Sequence, residues 1–282
     1  MVKKTYLAVF IVLLSSCSSR LPQRSASPIP SVSVAPTPSV SPSVSPLVIP
    51  SDDAASIAAA LTEAERRIRS VSTRPEDMAH IAKVQQLSYR KVVAAPQLKE
   101  AVLQLLPADL RPVAEANILA GTELRALTKP VAKIPDWRIV APPPTDELKG
   151  YYVEAEAMFA IPWRYLAAIH LVETRMGRIR GVSSAGAQGP MQFLPSTWKS
   201  YGEGDINDPR DAIFAAARYL KANGGDHDIG PALYRYNPTQ RYVRAVSAYA
   251  GEIERDERAY LAYYHWQVYV RTTNGDVLLE VG

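Results

Sequence analysis

Glu173 is the residue of this chain best placed for acid–base chemistry. A helix predicted over residues 162–176 sets Leu166, Ile169 and Glu173 on one face, so the carboxylate stands where another apolar side chain is expected. A carboxylate held against apolar neighbours resists ionisation, which raises its pKa toward the range of a general acid at neutral pH. The same position also suits a buried glutamate paired with Arg175, Arg178 or Arg180, and spacing alone leaves both readings open. His170, one turn earlier, can orient Glu173 or simply pack the helix.

The residues that follow suit a ligand cleft. Residues 182–189, VSSAGAQG, are too small and glycine-rich for a helix interior, and small residues let backbone approach a ligand closely. Gln192 offers an amide to a sugar acetamido or hydroxyl group; alternatively Met191 and Phe193 are core and Gln192 caps. Tyr236 and Asn237 set an aromatic face beside an amide, the pair a pyranose with an N-acetyl group would use, although Tyr236 taken singly also reads as core. Residues 205–211, DINDPRD, lack the twelve-residue calcium pattern and read as a helix start with Asp208 as N-cap.

Helices must carry these groups. One begins at Thr145, with Leu148, Tyr151, Tyr152, Ala155, Met158 and Phe159 on one face, and Gly177 is the expected stop of the Glu173 helix. Further helices are predicted over residues 209–223, from Pro231 to the break at Pro238, and around Tyr242, Val243, Val246 and Tyr249 as the last. Alternation over 265–272, the Asn274-Gly275 turn signal and residues 277–281 predict a C-terminal β-hairpin. Upstream, residues 51–128 read as four short helices: one capped by Ser51 with Ile57, Leu61, Ala64, Ile68 and Val71 inward, one opening at Pro75, one at Pro96 with Leu98, Val102 and Leu105 inward, and one over 110–127. This accessory segment carries no catalytic constellation, and residues 129–144 are a proline-rich linker to an active domain at 145–282.

Residues 1–16 read as an export signal, with Lys3 and Lys4 before an apolar run over 6–14 that is too short to span a bilayer. The chain's single cysteine, Cys17, follows Leu14-Ser15-Ser16, which resembles a bacterial lipobox; the resemblance implies lipidation of Cys17 and a membrane anchor. Residues 17–50 are a disordered Pro/Ser-rich linker, semi-rigid and able to reach on the order of 90 Å at about 3.1 Å per residue. The net charge of +4 includes no dense basic block, so no nucleic-acid partner is expected. One cysteine and four scattered histidines exclude a cysteine-based zinc site, and neither metal nor cofactor is expected.

Three ordered motifs, Glu173-Thr174, Gly189-Pro190-Met191-Gln192 and Arg235-Tyr236-Asn237, resemble the transglycosylase SLT domain of bacterial lytic transglycosylases over about residues 145–250. Thr174 stands where serine is commoner, Pro190 replaces leucine and Arg235 replaces alanine. The resemblance implies a mainly α, lysozyme-like fold and cleavage of the MurNAc–GlcNAc β-1,4 bond in peptidoglycan. It also implies Glu173 as the single acid/base, formation of a 1,6-anhydro ring, and Ser183, Met191, Gln192, Tyr236 and Asn237 lining the cleft. The expected protein is a monomeric, exported lipoprotein on the outer face of a membrane, facing the cell wall. Two alternatives stand beside it: a lysozyme-type hydrolase with Asp205, Asp226 or Asp228 as second carboxylate, and a non-catalytic wall-binding lipoprotein.

Overall fold

Asp53 opens the first helix rather than Ser51. Its carboxylate accepts the Ser56 N–H at 2.8 Å, and the Ser51 hydroxyl braces it at 2.6 Å. The computed structural model describes residues 47–282, which form one compact unit. The expected export signal, Cys17 and nearly all of the 17–50 linker lie outside the described residues.

Among the described residues four helices come first: α1 (Ala54–Arg69), α2 (Pro75–Ala94), α3 (Lys99–Leu105) after a 3-10 turn at Pro96–Leu98, and α4 (Arg111–Leu127). Ile57, Leu61, Ala64 and Ile68 form the predicted buried stripe of α1, and each large aliphatic buried this way contributes about 1.5–3 kcal/mol. Two residues depart from the expected pattern. Val71 falls beyond the helix end and is exposed, and Leu105 points outward while Leu106 takes the inward place after α3 stops.

The second part comprises α5 (Thr145–Phe159), α6 (Trp163–Thr174), α7 (Pro195–Tyr201), α8 (Pro209–Ala222), α9 (Ile229–Tyr236), α10 (Gln240–Arg255) and α11 (Arg258–His265). Asp208 caps α8 through the Asp211 N–H at 3.0 Å, as the sequence predicts. Three details differ from expectation. Asp228 caps α9, which therefore starts before Pro231; α10 is followed by a further helix, α11; and Met158 of α5 is exposed.

The segment between the two parts is tied at both ends. β1 (Arg138–Ile139) pairs antiparallel with β2 (Ile179–Arg180), directly after the Glu173 helix. Val131 exchanges backbone hydrogen bonds with Arg271 and Thr273 of the terminal hairpin. That hairpin is β3 (Val268–Thr272) and β4 (Gly275–Leu279), with Val270 opposite Val277. Its two-residue loop is Thr273-Asn274, one step earlier than the Asn274-Gly275 signal, because Gly275 supplies the positive φ of 112° at the start of β4.

One hydrophobic cluster runs through both parts, from Ile57 and Ile81 to Leu166, Val246 and Trp266. The most extensive helix–helix contact joins α4 to α10, so residues 51–128 pack directly on the helices of 145–282. Among the described residues no helix is long and apolar enough to cross a membrane.

Candidate active site

α6 is buried almost all round, through Leu166, Ala167, Ala168, Ile169, His170, Leu171 and Thr174. Such a helix reads as a core element, and Glu173 sits at its C-terminal turn, where it reaches the edge of that core. The helix stops two residues earlier than expected, at Thr174. Arg175, Met176 and Gly177 all take positive φ (55°, 60° and 83°), and only the last is a glycine. Two consecutive non-glycine residues in the left-handed region cost on the order of 1–2 kcal/mol each. The backbone bonds Met176 N–H to His170 C=O (3.1 Å) and Arg175 N–H to Leu171 C=O (3.2 Å) offset part of that cost.

Thr174 ties this turn to the next motif. Its hydroxyl donates to the Pro190 carbonyl at 2.5 Å and accepts the Gly177 N–H at 3.1 Å. The hydroxyl makes the tie, and serine carries the same group.

Gly189-Pro190-Met191-Gln192 forms a closed loop, pinched by reciprocal backbone bonds of 2.9 Å between Gln188 and Phe193. Gly189 has φ +73° and lies against the Ile206 carbonyl, so a Cβ there would collide with backbone. Gln192 is itself left-handed, φ 52°, and its side-chain amide donates to the Gly189 carbonyl at 2.9 Å. The capping reading therefore holds for its N–H, and its amide oxygen has no partner among the described residues. Met191 is wholly buried, but its carbonyl faces α9 and accepts the Tyr236 hydroxyl at 2.7 Å.

Tyr236 brings the third motif to the same place. Its ring lies parallel to that of Tyr242, 6.3 Å away at 5°, and edge-on to Phe193 at 5.8 Å. The Tyr242 hydroxyl in turn donates to Glu173 Oε1 at 2.7 Å. The loop, α9, α10 and the Glu173 turn thus form one hydrogen-bonded and stacked group.

Glu173 makes no ion pair with the three candidate arginines. Arg175 caps Leu171 at 2.8 Å, Arg180 donates to the Asn207 carbonyl at 2.8 Å, and Arg178 lies over the Tyr264 ring at 5.2 Å. Desolvation by the surrounding protein pushes Glu173 up to about 7, opposed only in part by the Tyr242 hydrogen bond, which favours the ionised form. Glu173 as a residue is only partly exposed, at the edge of the core. Burial and the Glu173 charge hold Tyr236 and Tyr242 well above the usual phenol range, which keeps both as donors. His170 does not orient Glu173. Its Nδ1 meets the Tyr152 hydroxyl at 2.7 Å, and burial pushes it down to about 3, so it is a neutral packing residue.

Ser183 and Asn237 are not joined to Glu173 by any hydrogen bond among the described residues. The Ser183 hydroxyl accepts the N–H groups of Ala185 (3.3 Å) and Ala187 (3.0 Å) and so folds the 182–189 loop on itself. Asn237, a partly exposed residue, caps α9 through its backbone, and its side-chain amide has no partner among the described residues. Of the candidate second carboxylates, Asp205 accepts the Asn207 N–H at 2.9 Å and Asp228 the Gly230 N–H at 3.1 Å, both local tasks. Asp226 lies 3.7 Å from His227. Sequence reasoning gave Tyr242 no role beyond helix periodicity. The available signal was a hydroxyl on an inward face, since a buried tyrosine needs a partner for it.

Comparison with known proteins fits this geometry. Residues 150–260 match the family model of the transglycosylase SLT domain. This segment belongs to the transglycosylase SLT family. The SLT segment spans α6 to α10 and so contains the whole Glu173 group. Membrane-bound lytic murein transglycosylase F of Thiobacillus denitrificans is 34% identical over 74 residues, which are 26% of this chain and 16% of that protein. The chain thus aligns with about a sixth of that relative's length. No solved structure matches it significantly.

Proposed function

We propose that the chain is a peptidoglycan lytic transglycosylase that cleaves the β-1,4 bond between MurNAc and GlcNAc, with Glu173 as its single acid/base. The observation that carries this reading is a carboxyl pushed up to about 7 and pinned by Tyr242 inside a segment of the SLT family. Near neutral pH such a group is about half protonated and serves as acid and base in turn.

In the first step Glu173 gives its proton to the glycosidic oxygen and the bond from that oxygen to C1 breaks. The substrate's own N-acetyl oxygen stabilises the cationic C1. In the second step the Glu173 carboxylate takes the proton of the C6 hydroxyl, O6 bonds to C1, and a 1,6-anhydro ring closes. Glu173 ends protonated, as it began, and no water is consumed. Tyr242 holds Oε1 through both steps and leaves Oε2 for the sugar. The free Gln192 oxygen and Asn237 amide face the N-acetyl and hydroxyl groups, Ser183 shapes the loop, Met191 acts through its carbonyl, and Tyr236 supplies an aromatic wall.

The chain is placed outside the cytoplasm, anchored by a lipid on Cys17 and facing the wall as a monomer. The lipobox-like sequence supports this, as does the name of the relative, a membrane-bound protein. Weighing the products of purified peptidoglycan digested by the full chain tests the reaction class. Anhydro-ended fragments agree with it, whereas fragments one water heavier, with reducing ends, would make the protein a hydrolase.

A further inference from the structure

α10 carries Tyr242, and both ends of α10 are held by charged groups from residues 51–128. Near its start, Glu123 of α4 accepts Arg241 Nη1 on one oxygen and Arg244 Nε on the other, each at 2.8 Å. The Glu123 side chain is only 10% exposed, while both arginines are about half exposed at 48%. Near its end, Glu252 is buried and meets Arg69 of α1 at 3.3 Å. α4 is in turn fixed on its other sides. A Cβ at Gly121 would stand 2.9 Å from Val93 Cγ2 of α2, and Asn117 accepts the Tyr263 hydroxyl of α11 at 2.8 Å.

Arg241 and Arg244 flank Tyr242 in sequence and lie on one face of α10, three residues apart. A single carboxylate bridging both opposes rotation of the helix at the turn that bears Tyr242. Small rotations matter here. A tyrosine hydroxyl stands roughly 9 Å from the axis of a helix whose Cα radius is about 2.3 Å, so about 10° of rotation moves it about 1.5 Å. A 2.7 Å hydrogen bond does not survive that displacement.

We propose that Glu123 is a positioning residue for the Glu173 site: by clamping Arg241 and Arg244 it sets the rotation of α10 and keeps the Tyr242 hydroxyl on Glu173. This rests on the reading of Glu173 as the acid/base, and it gives the accessory segment a task within the site. The Tyr242 hydroxyl on α10 and the Tyr236 hydroxyl on α9 are the ionisable groups that interact with Glu173 among the described residues.

The sign of one measurement separates positioning from simple charge. Removing the negative charge of Glu123 leaves two cations less compensated, which by itself lowers the Glu173 titration midpoint. Loss of the Tyr242 bond raises it, because that bond favours the ionised form. The test is to follow the Glu173 carboxyl by 13C NMR through a pH titration of the full chain as wild type, Glu123→Gln, Glu123→Asp, Tyr242→Phe and the Glu123→Gln/Tyr242→Phe pair. The expected result is an upward midpoint shift in Glu123→Gln, a smaller upward shift in Glu123→Asp, which keeps the charge and folds with the least change, and no further rise in the pair beyond Tyr242→Phe alone. Midpoints that stay at the wild-type value or fall in both Glu123 variants overturn the proposal, as does a pair whose upward shifts add. The titration needs no substrate, so a protein that titrates as expected but digests no peptidoglycan refutes the proposed function and not this inference.

Discussion

The Tyr242 hydroxyl donates to Glu173 Oε1 across 2.7 Å, from a residue 69 positions further along the chain. The bond opposes the desolvation that pushes Glu173 up, so the pair together set the pH at which the carboxyl changes state. A hydrogen bond to a charged group contributes about 1.5–3 kcal/mol, and about 1.4 kcal/mol is one pKa unit.

Tyr242→Phe removes the bond and leaves the ring. The Glu173 midpoint then rises by about one unit, because the ionised form loses its donor. The base role proposed for the carboxylate then fails over a wider range below neutrality, and the acidic limb of the rate profile is expected to move to higher pH. Rates on soluble glycan fragments between pH 4 and 9 check this; a limb that stays in place or moves down would falsify the role given to Tyr242.

Glu173→Gln stabilises the fold at alkaline pH. The unfolded carboxyl titrates near its ordinary value of 4.5 and the folded one near 7. Between those values the folded state keeps a proton that the unfolded state has lost, so stability falls as pH rises through the window. Above it, the ionised carboxylate carries the full burial cost. The amide variant avoids that cost and is expected to gain about 1–3 kcal/mol at pH 8 and little at pH 4.5. Urea unfolding at the two pH values reads the difference, and equal changes at both would contradict the burial account.

Thr174→Val keeps the shape of the side chain and removes the hydroxyl that joins the Glu173 turn to the Pro190 carbonyl. It leaves the Pro190 carbonyl and the Gly177 N–H without that partner, at a cost of about 1–3 kcal/mol. Thr174→Ser keeps the hydroxyl and stays within about 1 kcal/mol. Melting temperatures and amide exchange of Met191 and Gln192 distinguish the two; similar losses in both variants would assign the effect to packing and not to the hydroxyl.

The helices were legible because their apolar spacing is regular, and Asp208 and the terminal hairpin because caps and turns leave local signals. The first cap was misplaced because Ser51 and Asp53 are both good cap residues and only the geometry chooses between them. α11 escaped notice because it is eight residues long, has no side-chain cap, and runs straight into the alternation of β3. At the site, Glu173 stood out as a charge on an apolar face. Tyr242 did not, since an inward tyrosine looks like core until its hydroxyl is seen to meet Glu173. The seat of residues 51–128 on α10 has no local signal at all: Glu123 and its two arginines are 118 and 121 positions apart.

The most direct test of the central claim compares wild type and Glu173→Gln, both as the full chain, on purified peptidoglycan at pH 7. With Glu173 as the proposed acid/base, the substitution is expected to lower the rate of release of soluble fragments about 10²–10⁴-fold while the variant still binds the wall. A Glu173→Gln protein that digests the wall as fast as wild type would contradict the account.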